Sequence, residues 1–217
     1  MRKANNKVKP LKSGFFFNEI ICIFNTMSQQ GLEGIIKQFQ YYKSLGDKTI
    51  EQLEEAALFY QFNEDSNSIA IIIKHLHGNM VSRWTEFLTS DGEKEWRNRD
   101  GEFEIGVDTR DELMAMWESG WQCLFKALNG LTEADLQKIV YIRNQGHTVE
   151  EAIHRQLAHY PYHVGQLVYI GKMLCRKEWQ SLSIPKNNSK GFNAQMFSEE
   201  KKRGHFTDNF LQKPDEE

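Results

Sequence analysis

The chain has 217 residues, of which 40% are hydrophobic and 12% aromatic, and a formal net charge of -3. That fits one domain, or one domain with tails, with enough apolar residues for a real core. Basic and acidic residues are interspersed with no basic face, which argues against nucleic-acid binding. Cys22, Cys123 and Cys175 are far apart and form no C-x-x-C pair, which argues against a disulfide framework or thiolate zinc site and fits a reducing cytoplasmic setting.

Residues 1–27 read as a leader, non-native or disordered, outside the domain. Five basic residues from Arg2 to Lys12 precede the apolar run Phe15–Phe24, as in a signal peptide, but Asn18 and Glu19 interrupt the run and no small-x-small site follows. The run is also too short to span a bilayer, so no membrane partner is expected.

Helical patterning begins just after Met27. Leu32, Ile35, Ile36, Phe39, Tyr42, Leu45, Ile50 and Leu53 predict a first helix over about 28–53. The polar run Asn63–Ser68 predicts a loop that ends in helix caps. A second helix follows from Ile69 to about Leu88, with Ile69, Ile72, Ile73, Leu76, Met80, Trp84 and Phe87 as its stripe. The segment Thr89–Asp108 reads as a long solvated acidic loop, which Phe103 pins over one end of the protein.

Thr109–Glu112 predicts a capping box for a third helix, with Leu113, Trp117, Gly120, Trp121, Leu124 and Leu128 inward and Asn129-Gly130 as its stop. A turn at 132–136 and a β-favouring piece, Ile139–Ile142, lead to Asn144-Gln145-Gly146. Thr148–Glu151 predicts a second capping box, for a helix running to about Cys175. Leu182–Lys186 reads as an irregular arm, and the charged segment 198–217 as disordered. The expected fold is all-α, an up-down-up-down antiparallel four-helix bundle over 28–197.

His159 and His163 are four residues apart in the fourth helix, so their imidazoles lie on one face, the arrangement of a divalent-metal pincer. Gln156 and Gln166 share that stripe, and Gln166 is a candidate partner of the ligands. Pro161 between the histidines predicts a bend, or a break in the helix. The second helix offers His75 or His77 as a third ligand, and wheel arithmetic leans to His77. His147, His154 and His205 are isolated, and the tryptophans read as core and loop anchors. Tyr162, Arg83 and Glu86 are neighbours of the pair by wheel reasoning only.

The combination of Asn67-Ser68-Ile69-Ala70 leading into His75-Leu76-His77-Gly78-Asn79, with His159-x-x-x-His163-x-Gly165-Gln166 later, resembles the DinB-like superfamily, which includes the YfiT-type metal-dependent hydrolases. Ser82-Arg83-Trp84, Asp91-Gly92-Glu93-Lys94, Arg155–His159 and Leu182–Pro185 are similar to one bacterial subfamily within it. The resemblance covers about 28–195. It implies a three-histidine site for zinc or nickel, with His75, against the lean of the wheel, joining His159 and His163. It also implies a homodimer and a small-molecule substrate used with a low-molecular-weight thiol. The expected function is a metal-dependent thiol S-transferase or hydrolase. The rival expectation is a non-catalytic metal-binding or stress-response bundle, in which His77 would close a structural site as a fourth ligand.

Overall fold

The structure, a computed structural model, describes residues 27–104 and 106–211. The expected leader, apart from Met27, lies outside the described residues. The chain is predominantly helical, with one two-stranded hairpin.

Helix α1, Gln29–Glu51, starts at Ser28, whose side chain accepts from the Gly31 N–H. It buries Leu32, Ile35, Phe39 and Ile50. A single helical turn, Glu55–Leu58, follows. Helix α2, Ile69–Trp84, is capped by the Ser68 hydroxyl, which accepts from the Ile71 N–H at 3.2 Å. It stops short of the expected Leu88 because Glu86 adopts the left-handed region, with φ 49°, and the helix cannot continue through it. Helix α3, Arg110–Asn129, has half of the expected box: Thr109 accepts from the Glu112 N–H, but the Glu112 carboxylate takes the Thr109 hydroxyl proton rather than a backbone one.

Strands β1, Ile139–Ile142, and β2, Gln145–Thr148, pair antiparallel. The second strand was not expected from the sequence. The two linking residues, Arg143 and Asn144, have φ of 56° and 60°, the twist of a tight primed hairpin turn. The Asp91 carboxylate accepts from both of their N–H groups at 2.8 Å, so the long loop after α2 is fastened to the hairpin. Helix α4, Val149–Cys175, opens with a complete capping box between Thr148 and Glu151 and runs unbroken through Pro161.

Helix α1 packs along α4, and α2 along α3, while α2 also touches α4. The core is centred on Phe39, Trp121 and Tyr160, whose ring centroids lie 5.9–6.5 Å apart. Trp84 and Trp117 are buried with them, as expected of core residues, and the Trp84 indole N–H donates to the Tyr160 hydroxyl at 2.9 Å. Helix α2 is enclosed on nearly every side: Ala70, Ile71, His75, Asn79, Ser82 and Arg83 are buried as well as its apolar stripe.

After α4 an exposed helix α5 spans Ser189–Ser198. The segment that follows differs from the expectation of a disordered tail. It contains a short helix α6, Asp208–Leu211, buries Thr207 completely, and sets Phe206 and Phe210 against Tyr41 at 5.9 and 5.4 Å. The composition of the tail is polar overall, but two aromatic rings on Tyr41 and an ion pair from Lys37 to Asp208 at 2.7 Å seat it on α1. Residues 212–217 lie outside the described residues. Among the described residues, no helix is long and apolar enough to cross a membrane.

Candidate metal centre

Helix α2 supplies His75, and α4 supplies His159 and His163. The Nε2 atoms of His75 and His159 are 3.4 Å apart, and those of His159 and His163 are 3.1 Å apart. One nitrogen from each ring lies within 4.8 Å of the other two. Two nitrogens bound at 2.0–2.1 Å to one tetrahedral zinc ion sit about 3.4 Å apart, so the spacing suits a shared ion.

The outer nitrogens decide how these rings are protonated. The Nδ1 of His75 faces Glu102 Oε2 at 3.0 Å, that of His159 faces Gln156 Oε1 at 3.2 Å, and that of His163 faces Gln166 Oε1 at 2.9 Å. These oxygens only accept, so each Nδ1 carries the hydrogen and each Nε2 presents a lone pair. Three lone pairs then converge, two of their separations being 3.1 and 3.4 Å and all three within 4.8 Å, an arrangement that a shared cation satisfies. The residues present therefore fit a divalent ion.

Burial favours the same neutral forms. Burial, then the neighbouring His163 and His75, then the Arg83 and Arg155 guanidiniums, push His159 down to about 3. Burial also lowers His163, partly offset by its hydrogen bond to Gln166, with His75 lowering it further.

Of the two histidines on α2, the structure brings in His75 and leaves out His77, against the lean of the helical wheel. His77 is half-buried, and burial lowers its pKa. His147 sits half-buried in β2, His154 is exposed on α4, and His205 contacts Thr207 in the tail. Gln166 takes the place expected of it beside His163. Tyr162 is exposed with its ring centroid 5.0 Å from that of His163, Arg83 lines the adjoining pocket, and Glu86 lies beyond the end of α2, away from that pocket.

The loop after α2 corrects the sequence reading most. Glu102, expected in a solvated loop, is only 7% exposed. It accepts from His75 and from Arg97, whose Nε and Nη2 donate at 2.7 and 3.0 Å. Burial raises the Glu102 carboxyl, but the hydrogen bonds from His75 and Arg97 outweigh it and hold the pKa below the ordinary value. Phe103 does pin the loop, with its ring centroid 5.0 Å from that of His75.

Gly78 makes this contact feasible. A methyl group there would overlap the Glu102 carboxylate. Gly78→Ala is therefore expected to displace Glu102, release His75, and lower zinc affinity by roughly 10- to 100-fold, the usual effect of losing an outer partner of a ligand. Competition with a chromogenic chelator measures this, and unchanged affinity would show that Glu102 does not orient His75.

A family model described as a protein of unknown function (DUF1572) matches residues 26–188. The chain belongs to this family. The match ends three residues past Pro185, so the DUF1572 region contains all three histidines, Glu102 and the hairpin, and leaves α5 and α6 outside. No curated protein and no solved structure gives a match.

The protonation pattern of this DUF1572 chain has a consequence for pH. Unfolded, His159 takes up a proton near 6.5; folded, it does so only near 3. Between these values the unfolded chain binds more protons, so stability falls as pH falls. Glu102 acts in the same direction, because a carboxylate with a depressed pKa loses its contribution on acidification. The metal-free protein should thus show a lower urea midpoint at pH 5 than at pH 7.5. Equal midpoints would mean that the imidazoles are not desolvated.

Proposed function

We propose that this chain is a DinB-like metal-dependent enzyme, of thiol S-transferase or hydrolase type, with His75, His159 and His163 as ligands for zinc or nickel. The observation that carries the reading is the set of three inward Nε2 lone pairs beside an open pocket of about 350 Å³, with His75, His159 and His163 in its wall. Three protein ligands are the pattern of catalytic zinc, whereas structural zinc is closed by four. Among the described residues no fourth histidine, cysteine or carboxylate joins the group, which weighs against the structural alternative.

A bound ion of this kind supplies Lewis acidity, favouring the deprotonated form of a water or thiol and offsetting developing negative charge. The chain's own groups do the rest. Glu102, Gln156 and Gln166 hold the three rings in the tautomer that leaves Nε2 free. The hydrogen bonds from His75 and Arg97 keep Glu102 ionised, and Phe103 packs at a tilt against one side of His75.

The four long helices are read as an up-down-up-down bundle forming one domain over 28–197. The pairing of α1 with α4 and of α2 with α3 supports that topology. The homodimer and the low-molecular-weight thiol rest on the resemblance described above, and the cytoplasmic location on the scattered, unpaired cysteine pattern.

Untagged protein loaded with zinc or nickel tests the proposal in two steps. Elemental analysis should give one ion per chain. The loaded protein, incubated with a low-molecular-weight thiol and a panel of electrophiles and hydrolysable esters, should then turn over at least one above a His163→Ala control. Stoichiometric metal with no turnover of either kind would leave a metal-binding protein and remove the enzyme.

A further inference from the structure

The pocket beside the histidines is strongly cationic. Five arginines line it: Arg83, Arg97, Arg99, Arg143 and Arg155. Among the described residues, two carboxylates, Glu93 and Glu102, form ion pairs with them. Arg97 is fully engaged, with two nitrogens on Glu102 and Nη1 at 3.2 Å from Glu93. Arg143 also reaches Glu93 at 3.2 Å.

The other three have bonding capacity left. Arg83 is only 6% exposed, and its Nη1 donates to the Gly92 carbonyl at 2.6 Å and lies 3.5 Å from Glu93. Its Nε–H, however, is buried with no acceptor. A buried guanidinium donor without a partner carries an uncompensated desolvation cost. Arg99 and Arg155 have no acidic partner among the described residues. Arg99 is held over the Phe103 ring, 5.6 Å from its centroid, and that ring packs at a tilt against His75. Arg99 is thereby tethered one aromatic ring away from the histidines.

A planar guanidinium pairs best with carboxylate or phosphate oxygens, which accept two parallel hydrogen bonds. An excess of positive charge in a concave site focuses the field on small anions. The pocket is a partly open concavity at the small end of the ligand-site range, not an extended basic stripe of the kind that tracks a nucleic-acid backbone. A neutral acceptor could pair the Arg83 donor but would leave the charge of Arg99 and Arg155 without a counter-ion, which an oxyanion supplies.

We propose that this pocket takes a small-molecule substrate bearing an oxyanion, a carboxylate or a phosphate, bound by Arg83, Arg99 and Arg155, with the remainder of the molecule against the three imidazoles. The inference names the substrate class of the site described above and rests on the reading that this pocket is where the substrate lies.

The test uses the metal-free full-length chain, titrated calorimetrically with inorganic phosphate and, separately, with succinate, at ionic strength held constant with sodium chloride. At least one anion should bind one-to-one in the millimolar range or tighter. The Arg99→Ala/Arg155→Ala double variant should weaken that binding by about tenfold or more. Its melting temperature without anion should fall by no more than a few degrees, because both side chains are exposed and neither has an ion-pair partner among the described residues, while the cation–π contact of Arg99 with Phe103 is exposed and weak. A response to phosphate alone assigns a phosphorylated substrate, one to succinate alone a carboxylic acid, and one to both the shared oxyanion chemistry; each supports the proposal. No binding of either anion, or binding unaffected by the double variant, overturns it. Zinc stoichiometry on the same preparations separates the two readings: zinc without anion binding removes only this inference, and anion binding without zinc removes only the metal site.

Discussion

His163→Ala is expected to abolish stoichiometric zinc or nickel binding while leaving the helical fold intact. The Nε2 of His163 lies 3.1 Å from that of His159, and its outer nitrogen is already committed to Gln166. Removing the ring leaves two nitrogens, from His75 and His159, and nothing among the described residues can replace the third. The loss should exceed the roughly 10- to 100-fold that removal of an outer partner such as Gln166 costs. The fold should survive, because His163 is only half-buried, while α4 anchors in the core through the fully buried Tyr160, Val164 and Leu167. Elemental analysis after metal loading reads the first effect and far-ultraviolet circular dichroism the second. One equivalent of metal retained by His163→Ala would remove His163 from the ligand set.

Trp121→Ala should destabilise the protein by about 3–5 kcal/mol, the range for truncating a large buried aromatic side chain. Trp121 is fully buried and touches Phe39, Trp117, Phe125 and Tyr160, so its removal opens a cavity where α1, α3 and α4 meet. Trp121→Phe should cost much less. The indole N–H is buried without an acceptor, so the smaller ring forfeits no hydrogen bond and removes an unpaired donor. Urea denaturation of the metal-free chain compares the three proteins. A Trp121→Ala loss below about 1 kcal/mol would mean that the core relaxes around the site.

The helices were legible because their signals are local. Ser28, Ser68, Thr109 and Thr148 each cap a helix with a side-chain oxygen, and the apolar intervals that follow place the inward faces of α1, α3 and α4. The pair His159 and His163 was legible for the same reason, since four residues on one helix fix two rings on one face. Pro161 did not break that helix, whose neighbouring Tyr160 and Val164 are fully buried in the core. The second strand and the seated tail were not legible. The turn at Arg143-Asn144 contains no glycine and relies on Asp91, more than fifty residues away, to hold its N–H groups. The tail relies on Tyr41 and Lys37 of α1.

The amino-acid order alone therefore determined where the long helices start and which two histidines share a face, because capping and periodicity act within a few residues, whereas the end of α2 was set by the left-handed turn at Glu86. It did not determine the choice between His75 and His77. Helix α2 is buried nearly all round, so an amphipathic wheel has no solvent side from which to measure. Nor did it reveal Glu102 behind His75, or the unpaired guanidiniums of the pocket. Those arise where a charged loop folds back over α2 onto a notch left by Gly78, a meeting of distant segments that only the packed chain decides.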